Sequence, residues 1–401
     1  MSFATPNITF PKSSVKGTVF VHLDFVLTGV VMTLLGPMLP MLSRRWALND
    51  TQAGYLFIGQ WATSILGMLL SGVFVERYGS RITLIVGLML MAFGMAGLGY
   101  GGWVLGFISV CIFGAGTGVT TPTANLLIAK SNPLKSAAAL NLLNSSWGVG
   151  AMACPFIVAA AQRSQRASYF LYGMAAALAL LAISLLSIRF TVDGDRSLVK
   201  RLPHADVSVW KNRLVPAIAV LFFTYVGIET SIGGWVALYA RRIDPSASTL
   251  WAITPSFFWG ALLIGRALAP LALTRLRDIN LATFGVGLAA AGIIVLLAAK
   301  TITVIMVGAS IAGLGLASVF PINVSLLSHW FGEAATPVSG TIFSIGNLGG
   351  AVIPWMVGFI STHFSLRFGF VTPLIGAVGM LAFYLTSEKR QREATPAGNY
   401  C

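Results

Sequence analysis

Windows of roughly 20 mostly apolar residues recur along this chain, each long enough to cross about 30 Å of hydrocarbon as a helix. Twelve can be read, near residues 18–42, 52–75, 82–101, 103–129, 136–160, 167–190, 213–240, 249–273, 281–299, 302–327, 337–361 and 368–387. Inside lipid a backbone must satisfy its own hydrogen bonds, and the sequence shows no alternating strand pattern. The expected class is therefore an all-α integral membrane protein. Composition agrees: 56% of the 401 residues are apolar and 9% are charged, too few charges to cover a surface facing water.

The second constraint is a repeat. Gly114, Gly116, Pro122, Gly150 and Pro155 recur as Gly313, Gly315, Pro321, Gly349 and Pro354, every pair 199 residues apart. An asparagine follows the first proline of each copy, Asn125 in one and Asn323 in the other. One register kept across half the chain implies two similar six-helix bundles related by a pseudo-two-fold axis, with a site at their seam. The expected division is a tail at 1–17, a bundle at 18–190, a linker at 191–212, a second bundle at 213–387 and a tail at 388–401. The glycines and proline of the fourth span suggest a discontinuous helix.

The net charge of +14 would suit a nucleic-acid partner, but its placement argues against one. Twelve spans put both termini on one side, where the loops hold seventeen Lys and Arg; the opposite loops hold eight. The richer side is expected to be cytoplasmic in a cell membrane, so the basic excess reads as an orientation signal and a contact with anionic lipid. Three cysteines give no disulfide framework, and residues 1–17 have no apolar core of a cleaved signal peptide. The four histidines lie in separate segments, so no metal site is expected, and no nucleophile motif or phosphate loop points to an enzyme.

Polar residues within the spans are the candidates for function. Asp24 lies about six residues, or ~9 Å, from the middle of the first span. It either stays within hydrocarbon depth, where a carboxylate is usually functional, or reaches water or pairs with His22 or Lys16. Gln60 lies on a stripe of small residues with Ser64, Gly67 and Ser71, a pattern that lets helices approach. Asn141 and Asn144 share a face of the fifth span near Trp147, and must bond to each other, to a neighbouring helix or to a ligand. Glu229 sits close to the centre of the seventh span with Tyr225 one turn before it, and no Lys or Arg shares that helix interior. A lone acid there is expected to hold and release a proton, or else to be a protonated structural group. Trp235 lies six residues further on, off the acid's face. Asn323 and Asn347 complete the set of amides.

Between the second and third spans the chain reads Gly72-Val-Phe-Val-Glu76-Arg77-Tyr-Gly79-Ser-Arg81. This loop resembles the signature of the major facilitator superfamily, with Glu76 where the family usually has Asp. The run around Asn141 and Asn144 and the run from Tyr225 to Trp235 resemble the fucose-permease-like branch of sugar–proton symporters, although the first span lacks that branch's Asn-Asp pairing. The resemblance implies two bundles rocking about a central cavity, with a monosaccharide or similar polyhydroxy solute carried in with a proton. Glu229 would carry the proton, with Asp24 second. Gln60, Asn125, Asn141, Asn144, Asn323 and Asn347 would bond hydroxyls, with Tyr225 beside them and Trp147 and Trp235 stacking. Gly72, Glu76, Arg77, Gly79 and Arg81 would form a latch, Glu76 accepting from the start of the eleventh span at Thr336 and Pro337.

The expected partners are thus a small-molecule solute and the lipid bilayer, with no nucleic acid, no cofactor beyond a coupling ion (H⁺ rather than Na⁺), and a monomeric state. The rival reading is a proton-coupled efflux antiporter of the same fold for drugs or metabolites.

Overall fold

In a computed structural model the chain is described over residues 15–187, 212, 214–246, 249–332 and 335–394. The expected linker and most of both expected tails lie outside these residues. Among the described residues every regular element is helical. The main helices are α1 (Val15–Thr33), α2 (Leu35–Arg45), α3 (Asp50–Tyr100), α4 (Trp103–Ser131), α5 (Ser136–Arg163), α6 (Ala167–Leu185) and α7 (Leu214–Ile243). They continue as α8 (Thr254–Leu273), α9 (Asp278–Ala298), α10 (Ile302–Leu316), α11 (Val319–Phe331), α12 (Ala335–His363), α13 (Leu366–Gly369) and α14 (Val371–Ala394).

Three backbone breaks turn these helices into twelve crossings. α3 runs for 51 residues, about 76 Å at 1.5 Å per residue and more than twice the hydrocarbon thickness. Gly79 divides it, with φ 82° and ψ 162°, a left-handed region that glycine enters without steric cost. α1 and α2 meet at a 41° bend and together make one span. Pro37 has no N–H to offer the carbonyl of Thr33, where the helix breaks. The third break lies between α10 and α11, at Ala317 and Ser318, four and three residues before Pro321. α4 holds Pro122 and stays continuous, so the discontinuity expected in the fourth span is found in its counterpart, the tenth.

The repeat is visible in the packing. α4 corresponds to α10 plus α11, and α5 to α12, at the same 199-residue spacing as the glycines. A side chain at Gly114 would collide with the Gln60 carbonyl, and one at Gly313 with that of Phe258. Gly150 lies against the Val26 carbonyl, and Gly349 against that of Phe223. Each half therefore brings the same helix pairs into backbone contact, which only a residue without Cβ allows. α1–α6 form one bundle and α7–α14 the other. Large apolar side chains such as Leu69, Phe93, Leu180, Phe284 and Ile375 are exposed on the outside. In water they would be a liability; against acyl chains they are the solvated surface.

Candidate functional site at the seam of the bundles

With twelve crossings the start of α1 and the end of α14 lie at one end of the molecule, called here the terminal end, and the loops after α2, α5, α7 and α12 lie at the far end. At the far end the bundles are tied together. Arg242 of α7 donates to both carboxylate oxygens of Asp50 on α3, at 2.5 and 2.7 Å. Ser361 of α12 donates to the same carboxylate. Thr51 donates its backbone N–H to the Thr362 hydroxyl at 2.9 Å. Arg241 donates to the Pro40 carbonyl at 2.6 Å and lies 5.3 Å over the Trp251 ring. A two-pronged guanidinium–carboxylate pair is the strongest geometry available to such charges. None of these six polar residues stood out among the spans, because each sits at a span end; the signal was a carboxylate and two arginines where apolar runs stop.

From there the seam stays closed to about mid-depth along two lines. Along α3 and α12, Gly54 faces Trp355, Trp61 faces Gly350, and Met68 meets Asn347. Along α5 and α8, Ser256 donates to the Met152 carbonyl at 2.9 Å, and Trp147 meets Trp259 edge-on at 5.5 Å. Gly148 lies against Leu263. Among the described residues these contacts give out towards the terminal end. Asn141, Asn144 and Thr341 are exposed, and nothing lies within contact distance of a Cβ placed on Gly72 or Gly340.

Glu229 lies at the level where closure ends. Gly233, one turn along the same face of α7, meets Trp259 and, across the seam, the backbone of Gly36. The Tyr225 hydroxyl donates to Glu229 Oε1 at 3.2 Å. Arg266 Nη2, from α8, donates to the Tyr225 oxygen at 3.1 Å and to Glu229 Oε1 at 3.2 Å. The expectation of a lone acid is corrected here: Glu229 has a cationic partner on the neighbouring helix. Both members keep some access to solvent, with side chains 14% and 23% exposed. Tyr225 is buried against Phe320 of α11, which fixes its ring. Arg266 had a sequence signal, being a basic residue inside a span, but hydropathy does not say which helix it faces.

The other candidates divide by place. Asn144 and Asn141 of α5, Trp147, and Asn347 of α12 lie along the seam, although Asn144 also bonds the Leu140 carbonyl of its own helix. The rest are engaged within a bundle. Gln60 donates to the Met32 carbonyl at 2.9 Å, next to the break between α1 and α2. Asn125 bonds the Thr121 carbonyl one turn back. Asn323 is buried and accepts from the Tyr384 hydroxyl. Trp235 is buried and donates to the Pro354 carbonyl at 2.9 Å, so it has no face free for stacking. Asp24 is buried inside the first bundle, where Thr28 donates to its Oδ1 at 3.3 Å.

The expected latch pairs Glu76 with the start of the eleventh span, whose side chains at Thr336 and Pro337 lie outside those described. Glu76 is exposed and meets no partner among the described residues, Arg77 lies 5.5 Å over the Tyr78 ring, and Arg81 donates to the Leu185 carbonyl at the end of α6. α12 begins at Ala335, which puts Thr336 in its first turn rather than at its cap.

Known proteins share this fold. A glucose/galactose transporter of Brucella abortus is 24% identical over 381 residues, covering 90% of this chain and 91% of that protein. A bacterial homologue of the human lysosomal transporter Spinster, solved facing inward and unoccupied, superposes with a TM-score of 0.77 at 14% identity. That match covers 95% of this chain and 98% of the other. The E. coli fucose:proton symporter superposes with a TM-score of 0.63 at 17% identity, over 93% and 98% of the two chains. Residues 25–302 match the family described as the Major Facilitator Superfamily, and the chain belongs to that family, as a multi-pass membrane transporter and not an enzyme.

Proposed function

We propose that this transporter takes up a monosaccharide or related polyhydroxy solute together with a proton, with Glu229 as the proton carrier. The observation that carries the reading is the Glu229–Arg266–Tyr225 cluster at the depth where the bundles part. An acid there can reach water from one end, and the rocking of the bundles would turn it to the other. A proton taken up by Glu229 from the open end breaks its pairing with Arg266, which ties protonation to the contacts made at the seam. Asn141, Asn144 and Asn347 offer amides to hydroxyls on both sides of the opening, with Trp147 above them. The lysine and arginine bias assigns the terminal end to the cytoplasm of a cell membrane, so the opening faces inward. The sugar-transporting relative supports the solute class.

The test is uptake into liposomes of labelled glucose, galactose and their acids under an imposed pH or sodium gradient. Accumulation driven by the pH gradient supports the reading. Accumulation driven only by sodium, or proton-driven export of amphipathic cations with no sugar uptake, overturns it.

A further inference from the structure

We infer that Arg266 is itself a solute contact, and that the preferred solute carries a carboxylate beside its hydroxyls. The inference rests on the reading of Glu229 as the proton carrier and asks what happens to its partner when the proton arrives.

Arg266 is only partly used. Its Nη2 serves both Tyr225 and Glu229, while its buried Nε meets no acceptor among the described residues. Glu229 in turn is held through Oε1 alone. This is a single-point contact, where a guanidinium can offer a carboxylate two parallel N–H donors. The two-pronged form does occur elsewhere in this molecule, between Arg242 and Asp50. The arginine at mid-depth thus keeps Nη1 without a partner among the described residues and part of its side chain accessible, while Nε is closed off.

The charge balance points the same way. The groups that meet Glu229 are Tyr225 on its own helix and Arg266 on α8. The aromatic neighbour of that cluster, Phe320 from α11 against Tyr225, carries no charge. The resting pair sums to zero. Adding a proton to Glu229 removes the counter-charge and leaves Arg266 positive at mid-membrane, a costly state for the step in which the bundles turn. A neutral sugar cannot restore the balance. A sugar acid can: its carboxylate accepts the guanidinium N–H groups that Glu229 gives up, and its hydroxyls remain for the seam amides. The loaded carrier then holds one proton and one anion with no net change in charge. On release, Glu229 loses its proton to water and pairs with Arg266 again.

The experiment compares labelled glucuronate, gluconate and glucose in liposomes containing the wild-type protein, Arg266→Gln or Arg266→Lys. Wild type should take up at least one of the two acids about tenfold faster than glucose under a pH gradient, with no dependence on an imposed membrane potential. Arg266→Gln should lose that preference, and Arg266→Lys, which keeps the charge without the fork, should fall between. Should the variants fail to fold, the thermal shift of wild type with each acid against glucose decides alone. Glucose carried with a proton while neither acid is carried or shifts the protein overturns the inference and leaves the proposed sugar uptake standing. An acid preference retained in Arg266→Gln also overturns it. If no sugar or acid is taken up at all, both readings fall.

Discussion

Two carboxylates lie within the spans of this transporter, and their surroundings differ. Asp24 on α1 is 1% exposed, held at Oδ1 by Thr28, with Oδ2 unpartnered among the described residues. Its helper Thr28 turns towards Met91 of α3, inside the first bundle. The face of α1 that meets α5 is a different one, marked by His22 on Ser146 and Gly29 on the Trp147 carbonyl. Glu229 is held by two donors, one of them cationic, and stands beside the seam with part of its surface accessible. Both acids lie within hydrocarbon depth; access and a charged partner belong to one. The lesson is that an intramembrane acid is fitted for coupling by the water path beside it and by what it can release, not by burial alone.

The contrast can be broken in several ways. The largest effect is expected from locking the far end, because Glu229's one-sided access depends on that closure. The Thr51 and Thr362 hydroxyl oxygens are 2.9 Å apart, a separation that suits a disulfide between cysteines at the two positions. The Thr51→Cys/Thr362→Cys protein should lose nearly all uptake on oxidation and regain it on reduction; unchanged uptake in the oxidised form would show that the far end need not open. Next is Arg266→Leu, which strips Glu229 of its partner. Uptake should fall about tenfold or more, and thermal unfolding in detergent should show a loss of about 3 kcal/mol, the usual cost of breaking a buried pair from one side. A stable, fully active variant would make the pair ornamental. The smallest effect is expected at Thr28→Val, which removes one hydrogen bond from Asp24. Stability should drop by about 1 kcal/mol with uptake unaffected; lost coupling in that variant would bring Asp24 back as a carrier.

Much of this architecture was legible in the chain. Apolar windows located the twelve crossings to within a few residues because hydrocarbon thickness sets a length that periodicity alone does not. The 199-residue register foretold which helices pair, since each repeated glycine marks a place where two backbones touch. Glu229 was readable as an acid in an apolar run. Its partner was not, because Arg266 lies 37 residues away on another helix and helical periodicity does not choose between neighbours. Trp235 and Asn323 read as cavity residues by type, yet each is buried and held by a partner more than 60 positions distant, Trp235 by Pro354 and Asn323 through its Oδ1 by Tyr384. The Asp50–Arg242 tie joins residues 192 apart in opposite halves, and only the closed far end brings them together.

The most direct measurement places Glu229→Gln and Asp24→Asn in the same liposomes and follows solute accumulation under one pH gradient. Glu229→Gln should exchange solute across the membrane but fail to concentrate it, while Asp24→Asn should still concentrate it. Uphill uptake by Glu229→Gln, or its loss in Asp24→Asn alone, would contradict the account.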